Sequence, residues 1–217
     1  MIVGTLEPLD FNAVGNFVKL QLQGKPCQGR EVVKIDYPAS FAANSIDAGV
    51  KALDDFLHNT LGEKLILAWS QGAQVVSRWL RNLANFPVLP APEEVEFFVF
   101  GNPLRKYGGY IIGRPEVGGQ IGLPTLNDTP YRVTDLKMQG DGWADWPGDD
   151  AGWLAKLDAR KGQNKRHCYG YLTADPADPN IRVYHENTTT YAMIPAKPNL
   201  PFIPQSLIEK SFHRPEQ

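Results

Sequence analysis

Residues 65–74 read Leu-Ile-Leu-Ala-Trp-Ser-Gln-Gly-Ala-Gln, an apolar run that ends on a serine and continues as a helix. A run apolar on both faces fits a strand covered from both sides, the situation in a parallel sheet. Ser70 stands at the turn, and Gly72 lets the following helix pass close to the strand. A sharp strand–Ser–helix turn lifts the serine Oγ above the sheet edge. It also aims the next backbone N–H, that of Gln71, at the space an oxyanion would occupy. The usual pattern for such an elbow is G-x-S-x-G, and Ala68 takes the first position here. Alanine is the smallest side chain after glycine, so the turn remains feasible. An ordinary strand–turn–helix junction with a solvated serine could have the same ten residues, so the surrounding chain must decide.

The first half alternates strands and helices. Ile2–Thr5 reads as a short strand. Phe11–Gln23 reads as a helix, with Val14, Phe17, Val18 and Leu22 near one face. Glu31–Asp36 is a strand. Ser45 is placed to cap a helix reaching Asn59, whose stripe is Ile46, Val50, Leu53 and Leu57. Lys64–Trp69 is the elbow strand, Gln71–Asn85 the elbow helix and Val95–Phe100 a central strand. This order implies α/β architecture, a mainly parallel sheet with helices on both faces. After Phe100 the segment Gly101–Pro130 is rich in glycine and proline and reads as a long excursion, a lid or substrate-binding segment. A strand at Tyr131–Met138, a loop at Gln139–Asp150 and a helix over Ala151–Lys161 follow. Ile181–Tyr184 and Tyr191–Ile194 are the last strands.

The chain has 217 residues, 42% hydrophobic and 21% charged, which fits one α/β domain. A net charge of −2 gives no electrostatic reason to expect nucleic acid. No stretch is long and apolar enough for a transmembrane helix. Met1-Ile2-Val3 opens straight into a strand, so no signal peptide is expected. Cys27 and Cys168 lie far apart and are expected as free thiols. No metal-ligand spacing and no cofactor motif is present, and a monomer is expected.

A serine becomes a good nucleophile only when a base takes its proton. The base is normally a histidine oriented by a carboxylate, and behind such an elbow the order is serine, acid, histidine. His58 precedes Ser70 and is excluded by order. His213 lies in a polar, proline-containing C-terminus. His167, at a loop start after the helix, and His185, ending a strand, rank equally on position. Gln139–Pro147 holds the candidate acids. Asp141 comes first after its strand and is flanked by glycines that permit a tight turn; Asp145 is the alternative. The second oxyanion donor is expected from the loop after the first strand, at Thr5. Trp69, Leu104, Tyr107 and Tyr110 are the expected substrate contacts, the last three from an excursion with an unusual apolar load.

Several segments, taken in order, resemble known families. Gly4-Thr5-x-Glu7-Pro8 resembles the oxyanion segment of cutinases. Trp69-Ser70-Gln71-Gly72 resembles the elbow of cutinases and of mycobacteriophage lysin B. Four further segments resemble the PE-PPE serine hydrolase domain of mycobacteria: Asp36–Phe41, Gly101-Asn102-Pro103-x-Arg105, Asp141–Pro147 and Asn187–Pro195. The resemblance implies a cutinase-like α/β-hydrolase. It selects His167 over His185 and matches Asp141 to the acid. It implies a serine esterase acting on lipid esters of the mycobacterial envelope. The leading form is a phage lysin B cleaving the mycolyl–arabinogalactan ester, held in the host cytoplasm until lysis and then acting at the envelope. A PE-PPE-type lipase or esterase on other acyl esters, or a hydrolase-fold envelope-binding protein without catalysis, are the alternatives. Ala68 and Leu6 depart from the family patterns.

Overall fold

The computed structural model describes residues 1–7, 17–116 and 118–210. Its centre is a seven-stranded sheet. The strands are β1 (Ile2–Leu6), β2 (Glu31–Lys34), β3 (Lys64–Trp69), β4 (Val95–Phe100), β5 (Arg132–Met138), β6 (Arg182–Glu186) and β7 (Thr189–Ile194). They lie in the order β2-β1-β3-β4-β5-β7-β6. Every pairing is parallel except β6 with β7, which run antiparallel at one edge. The helices are α1 (Ser45–Asn59), α2 (Gln71–Arg81), α3 (Trp153–Tyr169) and α4 (Gln205–Lys210). This is the α/β-hydrolase arrangement, with the strand–Ser–helix elbow at β3–α2.

Strand periodicity sends alternate residues to opposite faces. Ile66 and Ala68 of β3 join Leu6, Phe97 and Val99 in a core covered by α1 and α2. Leu65, Leu67 and Trp69 join Val3, Phe100 and Leu136 in a second core, covered by residues 17–27 and Tyr171. All six side chains of β3 are buried, so the strand that leads into Ser70 is anchored on both sides.

Four sequence expectations change. The helix read over Phe11–Gln23 falls partly outside the described residues, Val14 included. Its described part begins a 3-10 segment, Val18–Cys27, broken where Gln21 is extended and Leu22, Gln23 and Gly24 adopt positive φ. Leu22 reaches the core from this left-handed turn, which reproduces one face of a helix without being one. Ser45 does not cap α1. It is the first helical residue, and its Oγ accepts the Ser40 N–H at 3.0 Å. The elbow helix stops at Arg81, followed by a 3-10 turn at Leu83–Asn85. Finally, α3 does not end at Lys161 but continues to Tyr169. Gly162 looks like a stop signal. It is a packing residue instead, because a Cβ there would overlap the Gly140 carbonyl oxygen.

Candidate active site

Ser70 joins β3 to α2 at φ 55°, ψ −112°. That conformation is strained for a residue with a Cβ and is tolerated where the surroundings over-determine it. Here the Ser70 N–H donates to the Phe100 carbonyl at 3.2 Å, and the Ser70 carbonyl accepts from the Gln74 N–H at 3.2 Å. Gly72 is required because a Cβ would overlap the Leu6 carbonyl oxygen, which the helix passes on leaving the turn. Ala68 is fully buried against the α1/α2 core, so a methyl group at the first motif position is accommodated.

The Asp141 carboxylate arrives by a turn after β5. Gly140 adopts φ 79°, and the Asp141 N–H donates to the Met138 carbonyl at 2.9 Å. A glycine at positive φ is what such a turn demands. His167 comes from the last turn of α3 and not from a loop start. Close packing of α3 on the acid loop sets their separation, because Gly142 and Gly162 let backbone touch backbone. The Gly101 turn after β4 leaves room for the imidazole, since a Cβ there would stand 2.9 Å from His167 Cε1.

The structure brings Ser70, His167 and Asp141 together. His167 Nε2 lies 2.8 Å from Ser70 Oγ, and His167 Nδ1 lies 3.0 Å from both carboxylate oxygens of Asp141. The imidazole is buried and the carboxylate wholly so. Asp141 accepts two further hydrogen bonds, from the Trp143 N–H at 3.0 Å and the Tyr171 hydroxyl at 2.7 Å. Burial, then the nearby Asp141 charge, holds the Tyr171 phenol well above its usual pKa, so it stays a donor. Its oxygen also accepts the Met138 N–H at 3.0 Å. Tyr171 thus ties the acid to β5, a role the sequence reading missed.

The alternatives are engaged elsewhere. Asp145 Oδ1 lies 3.2 Å from Lys137 Nζ, with both side chains fully buried, and its Oδ2 accepts the Gly140 N–H at 2.8 Å. His185 lies inside β6 on the exposed side, 3.1 Å from Thr190 Oγ1. His58 bridges the carbonyls of Asp54 and Val88 at 2.8 and 3.0 Å. The Asp54 carbonyl and then other contacts raise its pKa, burial opposing them. His213 is outside the described residues.

Ser70 and His167 open into a cavity of about 760 Å³. Trp69 and Gln71 line it. Thr5 does not. It lies within β1, in register with Lys34 and Leu67, and its carbonyl accepts the Ile35 N–H at 2.9 Å. The strand runs one residue further than its sequence suggests, to Leu6, so Thr5 is inside the ladder and not in the loop that follows it. Leu104, Tyr107 and Tyr110 are not on the wall either. Leu104 is buried under the excursion. The Tyr107 hydroxyl donates to Glu186 at 3.0 Å, and its ring packs on Tyr184 and Tyr191. Tyr110 sets its edge against Trp143 and Trp146 at 5.2 and 4.7 Å. The excursion instead contributes Pro103, Ile111 and Pro115. Its start is pinned by a buried cluster, in which Asn102 and Arg105 bond Asp135 at 2.8 and 2.9 Å. Burial raises the Asp135 carboxyl, and the Arg105 charge opposes that shift.

The remaining wall combines apolar and polar groups. Phe41 and Trp143 supply aromatic surface, while Arg160, Gln163 and Asn164 of α3 supply polar surface. With His167 and Cys168 these three follow helical spacing, so a longer α3 would have revealed them from sequence. Gln71 holds the Phe41 side in place: its Nε2 donates to the Ser40 carbonyl at 2.9 Å. Cys27 and Cys168 are free thiols, and burial raises both. Among the described residues no His/Cys/Asp/Glu group is arranged to hold a metal, and no helix is long and apolar enough to cross a membrane.

Residues 26–207 match the PE-PPE domain family. Similar curated proteins include an esterase, PE16, from Mycobacterium tuberculosis, 34% identical over 60% of this chain and 27% of its own length. The diacyltrehalose acyltransferase Chp2 of the same organism is 26% identical over 70% of this chain and 46% of its own. The chain therefore spans less than half the length of these relatives. Solved structures of similar outline include a cutinase-like protein from Cryptococcus sp., at 19% identity and TM-score 0.43 over 80% of this chain and 94% of that one. Lysin B from Mycobacteriophage D29 is another, at 17% identity and TM-score 0.44 over 74% of this chain and 72% of that one.

Proposed function

The chain belongs to the PE-PPE domain family, and on that premise we propose that it is a serine esterase acting on lipid esters through an acyl-enzyme. The observation that carries this reading is the unbroken contact from Ser70 through His167 to Asp141, opening on a large, partly apolar cavity. His167 Nε2 accepts the Ser70 proton as Oγ attacks the ester carbonyl. Asp141 fixes the tautomer with the proton on Nδ1 and stabilises the imidazolium that forms. The Gln71 N–H, first in α2, donates to the oxyanion, and the positive end of the helix adds to its stabilisation. Collapse expels the alcohol, which takes the proton from His167. Water then repeats the sequence in reverse and frees the acid.

The esterase and acyltransferase names of the relatives support this chemistry, and their mycobacterial origin supports an envelope lipid as substrate. An alcohol in place of water at the second step would make the same acyl-enzyme a transferase, and the polar wall of Arg160, Gln163 and Asn164 favours a hydroxylated acceptor. Within the esterase reading, a phage-lysin role on the mycolyl–arabinogalactan ester is the finest form of the proposal. Turnover of para-nitrophenyl esters of graded length tests the general reading. Each methylene buried in the cavity contributes about 0.8 kcal/mol, so kcat/KM rises with chain length. A preference for acetyl esters would count against a lipid substrate. Release of mycolic acid from mycolyl–arabinogalactan tests the finest form, and added polyols that divert the acyl group from water would favour transfer.

A further inference from the structure

Helix α3 carries Lys156, Arg160, Lys161, Lys165 and Arg166, with Asp158 as its single acid. Asp158 faces inward, where its carboxylate accepts the Leu200 N–H at 2.8 Å and the Asn199 amide at 3.1 Å. Arg166 also turns in, donating to the Gln139 and Lys197 carbonyls. Lys156 bonds the Asp149 carbonyl at 2.7 Å. Lys161 and Lys165 have no such partner among the described residues, and with Arg160 and Tyr169 they line a shallow groove of about 440 Å³. The protein as a whole has a net charge of −2, so this basic face is not a sample of its average surface.

The same face is apolar where lysines are not. Trp153 is 71% exposed, Leu157 42% and Tyr169 62%. Trp153, Leu157, Arg160, Asn164 and Cys168 recur every three or four residues and form one stripe. Arg160, Asn164 and Cys168 of that stripe are also cavity wall. The exposed face of α3 is therefore continuous with the mouth above Ser70. Phe41, on the α1 side of the same cavity, is 76% exposed.

We propose that the outward face of α3 docks on an anionic lipid surface. Trp153 and Leu157 enter the boundary between headgroups and acyl chains, and Lys161 and Lys165 pair with headgroup phosphates. A basic helix face interleaved with Trp and Leu has the composition that lies in such an interface. An acidic protein or a nucleic acid would satisfy the lysines but leave the exposed tryptophan and leucine without a favourable environment. Docking in this way places the cavity mouth against the layer that holds lipid esters. The inference deepens the esterase reading, although docking itself involves no turnover.

The test is co-sedimentation with vesicles of phosphatidylcholine containing phosphatidylglycerol, and of phosphatidylcholine alone, using both wild-type and Ser70→Ala protein. Binding is expected to the anionic vesicles, to weaken with added salt, and to be equal for the two proteins. Each lysine near an anionic surface contributes roughly a fivefold change in partitioning, so Lys161→Gln/Lys165→Gln lowers binding by ~25-fold. Trp153→Ser weakens binding independently. The double lysine variant keeps wild-type turnover on a soluble butyrate ester and loses turnover on a long-chain ester held in anionic vesicles. No binding, equal binding to both vesicle types, or binding indifferent to the lysine variant would overturn the proposal. Equally strong binding to an oligonucleotide, indifferent to Trp153→Ser, would also overturn it. Vesicle binding by a wild-type protein that turns over no soluble ester would leave docking in place and count against the esterase.

Discussion

Replacing Tyr171 by phenylalanine removes one oxygen from the centre of the site and leaves the ring in its packing. The ring stays against Phe100, at 5.3 Å between centroids. The lost hydroxyl was the donor to Asp141 at 2.7 Å and the acceptor of the Met138 N–H at 3.0 Å. A hydrogen bond to a charged group contributes about 1.5–3 kcal/mol, and a buried N–H left without a partner costs about 1–3 kcal/mol. The variant should therefore lose ~3 kcal/mol of stability, a large part of a typical domain's margin. Urea unfolding measures this as a lower midpoint with an unchanged slope. Turnover should fall by about tenfold in kcat with little change in KM, because Asp141 keeps the Trp143 N–H and His167 but loses its tether to β5. Tyr171 is a positioning residue on this account. A variant with a stability loss below about 0.5 kcal/mol and wild-type kcat would refute the reasoning.

Asp141→Asn and Asp145→Asn should separate function from stability. Asp141→Asn leaves a folded protein with turnover reduced by about 10⁴-fold, since an amide favours the wrong imidazole tautomer. Asp145→Asn removes the carboxylate charge facing the buried Lys137 ammonium, which keeps its bond to the Tyr107 carbonyl at 3.2 Å, and costs about 3 kcal/mol in unfolding, with kcat of the folded fraction nearly intact. His167→Ala in the Ser70→Ala background should add nothing further to the loss, because the two act as one unit, while His185→Ala leaves kcat/KM unchanged. Gly162→Ala gains about 1 kcal/mol of helix propensity, yet calorimetry should show a lower Tm. The new Cβ overlaps the Gly140 carbonyl and pushes α3 off the acid loop.

The elbow was readable because its signals are local: an apolar strand, a serine at the turn and a glycine where the helix passes the next strand. Asp141 was readable for the same reason, as the first carboxylate after a strand with a glycine at the turn. His167 was not, on position alone. The helix reads over Ala151–Lys161, short of His167, because the packing of Gly162 on Gly140 is made across a loop and leaves no local signal. Once α3 is allowed to continue, Arg160, Gln163, Asn164 and His167 share a face. Thr5, Leu104, Tyr107 and Tyr110 lie off the described cavity wall for a different reason. Whether a residue in a strand end or an irregular loop faces a cavity depends on contacts distant in sequence, such as Tyr107 with Glu186 and Tyr110 with Trp143. Leu22 shows the converse, a buried position with helical spacing reached from left-handed turns.

The central claim is that Ser70 Oγ attacks and becomes acylated, with His167 as its base. The most direct measurement is mass spectrometry after a fluorophosphonate, which reacts with an activated serine. The account predicts one adduct on the peptide containing Ser70, none in Ser70→Ala, and labelling slowed by several orders of magnitude in His167→Ala. An adduct on another residue, or labelling of Ser70 at the same rate without His167, would contradict it.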